Sequence, residues 1–418
     1  MRPLDVVAAR RHFPGLLRRA GDLPTVFCDG PAGSQVPLGV VEAMRRYLLF
    51  DNANHGGDFA TSRATDAMVA AARATVATFV GGEDAEEIVF GANMTTLTGH
   101  FARALARTWR RGDAVVVTDS DHDANVTPWT IVARDAGCEV RRIPVRPDAS
   151  LDLAAAERLI DARTRLVAVG AASNLSGTIH PVAEVCALAR RHGAVSFVDA
   201  VHLAPHLRLA VRRSGCDALV CSAYKFFGPH AGILWARRAL LESLTADKVR
   251  PAADHGAEKW QTGTANFEAI AGTQAAIAYL AALGRTHGAA DADLATALDD
   301  AFAVIARHER DLCARLLAGL AELPGVRIVG IAEPARVAER CPTVSFTHER
   351  WRPQPLARAL AERHINCWAG NSYALALTTA LGLEPDGVLR LGLLHYNTAE
   401  EIDLVLAELR GLLRRPPA

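Results

Sequence analysis

The sequence predicts an α/β fold with a mostly parallel central sheet, helices on both faces of that sheet, and a smaller α+β domain at the C-terminal end. Between residues 87 and 235, short apolar runs alternate with amphipathic segments, which is typical of parallel strands buried on both faces. The chain has 418 residues and is 50% hydrophobic, enough for a large core divided into domains. After about residue 269, long alanine-rich helices replace the alternation.

Hydrophobic periodicity places the elements in chain order. A short helix comes first, followed by a strand at 25–28 and helices at 37–47 and 62–80. The sheet region has strands at 87–90, 114–118, 139–143, 166–170, 195–198, 217–221 and 233–235, separated by helices that include 127–136, 153–161 and 182–192. The C-terminal region has helices at 272–283, 291–323, 355–363 and 398–413 and strands at 326–329, 343–346 and 389–393. We therefore expect an N-terminal segment (1–35) packed on the small domain, a large domain (36–285) and a small domain (286–418).

Composition excludes several classes of function. Basic and acidic residues balance at 46 each, so no charge-driven binding of nucleic acid or membrane is expected. The eight cysteines show neither CxxC pairs nor zinc-motif spacing, which predicts no metal site. Neither a signal region nor an apolar run of membrane-spanning length is found. These features predict a protein of the reducing cytoplasm.

Lys225 stands in unusual surroundings for a lysine. It follows a buried strand, lies between Tyr224 and Phe226, and precedes a Gly-Pro pair. Burial lowers the pKa of an amine, which suits a nucleophile for a carbonyl. The alternative is a lysine whose side chain extends from a strand end to solvent.

Polar residues follow five of the predicted strands, at the edge where open parallel sheets bind ligands. Each alone has an ordinary explanation, such as a helix cap or a buried core histidine. Together they match the needs of pyridoxal 5′-phosphate: a lysine for its aldehyde, an anion for its ring nitrogen, donors for its phenolic oxygen, a flat group over its ring and a phosphate site at a helix start. The residues are Thr95, Thr96, His122, Asn174, Asp199, His202, Ser222 and Lys225.

Six motifs carry a resemblance to a known family. They are 119–129 (DSDHDANVTPW), 173–178 (SNLSGT), 198–202 (VDAVH), 222–229 (SAYKFFGP), 262–266 (TGTAN) and 389–397 (LRLGLLHYN). With them, nearly the whole chain resembles the cysteine desulfurase-like class V aminotransferases. This resemblance implies the pyridoxal phosphate-dependent transferase fold type I, an amino-acid substrate, and a homodimer with shared active sites.

The resemblance also implies roles for individual residues. Lys225 corresponds to the Schiff-base lysine that moves protons, Asp199 to the partner of the ring nitrogen, and His122 to the histidine stacked on the ring. Asn174 and His202 would flank the phenolic oxygen, and His202 replaces the usual glutamine. The remaining predicted cofactor contacts are Thr95, Thr96, Ser222, Tyr224 and Thr264, the last reaching the phosphate of the neighbouring subunit. Substrate contacts are predicted at Ala32, Gly33, Asn54, Tyr373 and Arg390, with Arg390 gripping the α-carboxylate.

The sequence departs from the family at the cysteine that carries sulfur as a persulfide. Aligning Gly370 with the family glycine places Tyr373 at that position. Cys367 lies nearby, where a packed structural thiol is the favoured interpretation. The leading hypothesis is a lyase that forms an external aldimine and a Cα carbanion and cleaves a C–S bond by β-elimination. The alternatives are desulfuration through Cys367 and transamination or epimerisation in a specialised pathway.

Overall fold

The computed structural model describes residues 2–21 and 23–414. Helices α1–α14 are Val6–Arg10, Leu38–Arg46, Ala60–Val80, Met94–Ala106, Thr127–Ala136, Leu153–Leu159, Val182–Arg191, Val211–Ser214, Arg238–Ser243, Phe267–His287, Leu294–Ala321, Pro353–Ala361, Leu375–Ala380 and Ala399–Leu413. Strands β1–β15 are Arg19–Ala20, Leu23–Pro24, Val26–Phe27, Ile88–Gly91, Ala114–Thr118, Glu139–Ile143, Thr164–Gly170, Val195–Asp199, Ala218–Ser222, Gly232–Ala236, Val326–Val329, Thr343–His348, Ile365–Asn366, Trp368–Gly370 and Val388–Gly392.

The central sheet has seven strands in the order β4-β10-β9-β8-β7-β5-β6. Strands β5 to β9 pair in parallel, whereas β10 is antiparallel to both of its neighbours. The carboxyl ends of β5, β7, β8 and β9 therefore meet at one edge of the sheet, where ligands bind in folds of this type.

Each face of the sheet carries its own apolar core. One core contains Phe79 from α3 and Phe226 beside Lys225, with side chains of α10 and the N-terminal half of α11. The other contains Phe101, Trp129 and Trp260, all buried. Helices thus cover both faces, which confirms the predicted α/β fold.

The C-terminal part is built on a four-stranded antiparallel sheet in the order β11-β12-β15-β14. Helices α12 and α14 and the C-terminal half of α11 enclose its core. Near the N-terminus, β3 pairs in parallel with β13, and Asp29 forms a bridge to Gly392. Residues 26–29 are therefore hydrogen-bonded to strands of the C-terminal part.

Among the described residues, α10 alone has the length and hydropathy of a membrane-spanning helix. Of its most apolar stretch, 72% is buried inside the protein. It packs against α2, α3 and α11, as the core helix of a globular domain does.

Candidate active site

A cavity of about 550 Å³ lies at the carboxyl edge of the parallel strands. The small domain closes it through the β14 segment and β15. Ten of the residues predicted from the sequence line this cavity: Ala32, Thr95, His122, Asn174, Asp199, His202, Tyr224, Lys225, Tyr373 and Arg390.

Lys225 ends the short helical turn that follows β9. Its Nζ donates a hydrogen bond to the carbonyl oxygen of Pro31 and lies 4.9 Å from the centre of the Tyr224 ring. The pKa of this amine is lowered to about 7, first by burial and then by the charge of Arg390, while the charge of Asp199 acts in the opposite direction. A neutral, nucleophilic amine is therefore accessible near neutral pH.

Two buried carboxyl groups lie near the base of the cavity. Asp199 ends β8, and its Oδ1 accepts a hydrogen bond from the Val201 amide at 2.8 Å. Asp121 accepts from the Gly170 amide at 2.7 Å and from Asn125 Nδ2 at 2.9 Å. Burial raises the pKa of Asp199 to about 6 and that of Asp121 to about 8. The charge of Asp199 also raises the pKa of Asp121, so Asp121 takes up a proton first as the pH falls.

His122 follows β5, and its Nδ1 accepts a hydrogen bond from the Ala124 amide at 3.0 Å. The pKa of its ring is lowered to about 4, mainly by burial and in part by the charge of Lys225. The ring is therefore neutral at physiological pH. It stacks on Tyr373 with a centroid distance of 5.3 Å and an interplanar angle of 27°.

Arg390 enters the cavity from β15 and is buried. Its Nη1 donates to the backbone carbonyl of Asn174 at 2.8 Å, while its Nε is buried without a partner. Burial lowers its pKa to about 10, so the guanidinium keeps its charge at neutral pH. A buried cation with a free N–H is suited to hold a carboxylate.

The segment from Asn371 to Tyr373 forms the outer wall. Tyr373 accepts a hydrogen bond through its carbonyl from the Asp123 amide, and Ser372 accepts one from Asn174 Nδ2, both at 2.8 Å. Ser372 and Tyr373 have φ angles of 51° and 60°, which non-glycine residues adopt only where surrounding contacts hold them. The wall is thus fastened to the large domain at two successive residues.

Five predicted site residues do not line the cavity within the chain. Ser222 and Thr96 lie beside it, where Ser222 Oγ accepts from the Met94 amide at 3.1 Å and Thr96 bonds to Asn93. Gly33 packs near Tyr224. Asn54 and Thr264 are exposed and lie outside it.

Asp121 is the main residue of the cavity that the sequence did not single out. It stands within the 119–129 motif, directly before His122. A charged residue at the end of an apolar strand was the available signal, since a buried carboxyl group there needs partners.

The model of the family described as class-V aminotransferases matches residues 26–405. The chain belongs to the class V aminotransferase family. A cysteine desulfurase of Dickeya dadantii is 31% identical over 424 residues, covering 99% of this chain and 97% of the relative. A cysteine desulfurase of Synechococcus elongatus is 29% identical over 98% of this chain, which spans 64% of that longer relative.

Among solved structures, the apo cysteine desulfurase of Thermococcus onnurineus superposes with a TM-score of 0.86 and 28% identity, over 99% of both chains. The likeness extends over both domains. It confirms the predicted fold type I architecture of this class V aminotransferase.

Class V aminotransferases depend on pyridoxal 5′-phosphate, and this chain is an enzyme of that kind. The residues present fit the cofactor. Lys225 offers the amine for its aldehyde, Asp199 a carboxylate oxygen for its ring nitrogen, and Asn174 Oδ1 and His202 Nε2 are buried polar atoms without partners. Because buried polar atoms in native proteins are normally satisfied, these two orphaned atoms indicate that a polar ligand belongs here. Thr95, at the start of α4, is placed to contact the phosphate.

Proposed function

We propose that this enzyme cleaves the Cβ–S bond of a sulfur-containing amino acid by β-elimination, without passing sulfur to a cysteine of its own. The observation that carries the proposal is the composition of the cavity wall. Within the described part of the chain, no cysteine lines the cavity, and Tyr373 occupies the wall where the family's persulfide cysteine is expected. A phenol cannot form a persulfide.

Each side chain of the cavity has a separate role in this reaction. Arg390 binds the substrate carboxylate, and the neutral His122 ring provides a flat surface within the cavity. Pyridoxal phosphate, when bound, withdraws electrons from the substrate and acidifies its Cα–H bond. The Lys225 amine would accept the Cα proton of the bound substrate. The Cα–H electrons form a Cα–Cβ double bond, and sulfur departs with the Cβ–S pair and takes a proton.

The relatives support C–S chemistry, because the two sequence relatives and the solved structure described above are named cysteine desulfurases. The wall at Ser372 and Tyr373 supports elimination over sulfur transfer to the protein. A cysteine that carries sulfur has to move between substrate and acceptor. In this chain the corresponding backbone is hydrogen-bonded to Asn174 and Asp123.

The test is a panel of cysteine S-conjugates and cysteine sulfoxides incubated with the purified holoenzyme. We expect pyruvate, ammonia and a thiol or sulfenic acid in equal amounts, and no product with the Lys225→Ala variant. Cys367→Ala, as the matched cysteine control, should retain the activity. Absence of pyruvate across the panel, with solvent deuterium at Cα or amino transfer to the cofactor instead, would favour epimerisation or transamination.

A second candidate is desulfuration of free cysteine through Cys367, favoured by the names of the relatives. Cys367 adjoins the cavity residue Trp368 and is partly buried. Burial raises the pKa of its thiol to about 12, with Asp29 adding to the shift, so little thiolate is present at neutral pH. If Cys367→Ala abolishes sulfide release from cysteine, this second function replaces the first.

We also propose that the enzyme is a homodimer in which Thr264 completes the phosphate site of a second copy. Thr264 is exposed and does not line the cavity of its own chain. An apolar patch formed by Leu48, Leu49 and Phe50, 47%, 60% and 66% exposed, offers the contact surface. Such a patch on a soluble fold is typical of an interface.

A further inference from the structure

A second cluster of chemically competent side chains lies behind the cofactor cavity, between the two domains. His202, His206 and Cys341 are all buried, and each presents a ligand atom within 4.8 Å of the other two. His202 and His206 come from the loop after β8 in the large domain, whereas Cys341 directly precedes β12 in the small domain. Two imidazoles and a thiol are the ligands that zinc prefers in proteins.

Local backbone structure brings the two histidines together. Residues 201–206 form consecutive turns, in which the Ala204 amide donates to the Ala200 carbonyl and the Leu207 amide to the Leu203 carbonyl. A spacing of four residues in a helical turn places both rings on one side. Their centroids are 5.4 Å apart.

Glu309 of α11 orients one of the rings. His206 Nδ1 lies 2.8 Å from Glu309 Oε2, and both side chains are at most 4% exposed. With Nδ1 bonded to a carboxylate, the His206 Nε2 is left as the electron-pair donor. Histidines that bind metals typically bond their other nitrogen to a carboxylate in this manner.

Two observations independent of the cluster's composition indicate a missing ligand. Glu309 Oε1 is buried and has no hydrogen-bond partner, which is costly unless something binds it. His206, Glu309 and Cys341 line a small cavity of about 30 Å³, a volume on the scale of one ion or one water molecule.

The charges near the cluster are compatible with a divalent cation. The Cys341 thiolate and Glu309 carboxylate would together balance two positive charges. The guanidinium of Arg340, the neighbouring cation, donates to the carbonyl oxygens of Ile331, Ser176 and Thr343. These bonds hold Arg340 on backbone oxygens and leave the Cys341 sulfur free for a metal.

We propose that His202, His206 and Cys341 form a zinc site that joins the large and small domains, with Glu309 supporting it through His206. Tetrahedral zinc with bonds of about 2.0 Å to nitrogen and 2.3 Å to sulfur has ligand atoms roughly 3.3–3.7 Å apart. The candidate ligand atoms lie within 4.8 Å of one another, so zinc binding requires an approach of at most about 1.5 Å between any two of them. Because His202 also lines the cofactor cavity, the metal fixes the orientation of that ring.

The test is zinc content of the untagged holoenzyme, purified without chelators, reconstituted with zinc chloride and dialysed. We expect about one tightly held zinc per chain. The content should fall to a background level in Cys341→Ala and in His206→Ala. Cys216→Ala removes a buried thiol that is not a member of the cluster and should retain the zinc. Zinc below a tenth of an equivalent in the parent protein, or equal zinc in Cys341→Ala, overturns the proposal.

Two measurements keep the proposal testable if the variants fold poorly. X-ray absorption at the zinc edge of the parent protein should show one sulfur at about 2.3 Å and nitrogens at about 2.0 Å. A shell without sulfur overturns the proposal. A chelator should lower the Tm of the parent protein and of Cys216→Ala, and added zinc should restore it, whereas an unchanged Tm contradicts a metal that joins the domains.

Discussion

The pKa of Lys225 has a direct consequence for how the protein captures its cofactor. The amine must be neutral to attack an aldehyde, and burial places its pKa at about 7 rather than at the usual 10.5. Below that pH the group is protonated in the folded protein, and above it the group is free to react. Capture of pyridoxal phosphate by the apo-protein should therefore accelerate as pH rises through about 7 and level off above it.

Arg390 makes this profile testable by mutation. Its positive charge is the second cause of the lowered pKa of Lys225, after burial. Arg390→Gln should move the midpoint of the capture profile to higher pH, measured by the growth of visible absorbance after mixing. Arg142→Gln, a change at an exposed arginine outside the cavity, should leave the midpoint in place. An unchanged midpoint in Arg390→Gln would contradict the inference that the charge of Arg390 lowers the pKa of Lys225.

Individual residues of the cavity were predictable from the sequence where they stand directly after a strand. Lys225, Asp199, His122 and Asn174 have that position, and the parallel sheet brings them to one edge. The His202, His206 and Cys341 cluster was not predictable, and the cysteine spacing argued against any metal. Cys341 lies 135 residues after His206 along the chain, so only the packing of the folded chain brings the thiol to the two histidines.

Among the elements, the contact between α10 and α11 depends on a single glycine. A Cβ at Gly284 would overlap the carbonyl oxygen of Ala297 across the helix pair. Gly284→Ala should therefore destabilise the protein by about 1–3 kcal/mol, the usual cost of overpacking. The measurement is chemical denaturation of the holoenzyme followed by circular dichroism.

Gly411 provides the matched control for that prediction. It also lies within a helix, α14, but a Cβ there would meet open space. Gly411→Ala should stabilise the protein by up to about 1 kcal/mol through its better helix propensity. Equal effects of the two substitutions would show that helix propensity, rather than the close approach of α10 and α11, determines the result.

The strands of the central sheet were predicted to within one or two residues, because buried parallel strands are short, uniformly apolar runs bounded by polar loops. The sequence pattern did not divide residues 364–370 into separate strands. There β13 and β14 have only two and three residues and form by pairing with β3 and β15, which are distant in sequence. Such strands leave no periodic signal, since partner strands and not local propensity stabilise them.

At the scale of the whole molecule, the apolar patch at Leu48, Leu49 and Phe50 makes the proposed dimer testable. The patch lies on a single π-helical turn, Tyr47–Asp51, directly after α2. Phe50→Glu should place a charge in the interface and shift the protein to monomers, as measured by light scattering on a sizing column. Activity should fall with it, since Thr264 no longer reaches a second site.

Leu404 on α14 is a suitable control, because it is an apolar residue that is 38% exposed and outside the patch. Leu404→Glu should leave the molecular mass of the assembly unchanged. A Phe50→Glu protein that retains both its mass and its activity would place the subunit contact elsewhere.

The chain contains only three lysines, Lys225, Lys248 and Lys259. Lys248 forms an ion pair with Asp254 at 2.8 Å, and Lys259 donates to the carbonyl oxygens of Leu241 and Glu242. Of the three, Lys225 is the lysine that lines the cofactor cavity, and burial there lowers the pKa of its amine to about 7. Borohydride added to the holoenzyme should fix one pyridoxyl group per chain on the peptide that contains Lys225, so mass spectrometry of a digest can count occupied active sites directly.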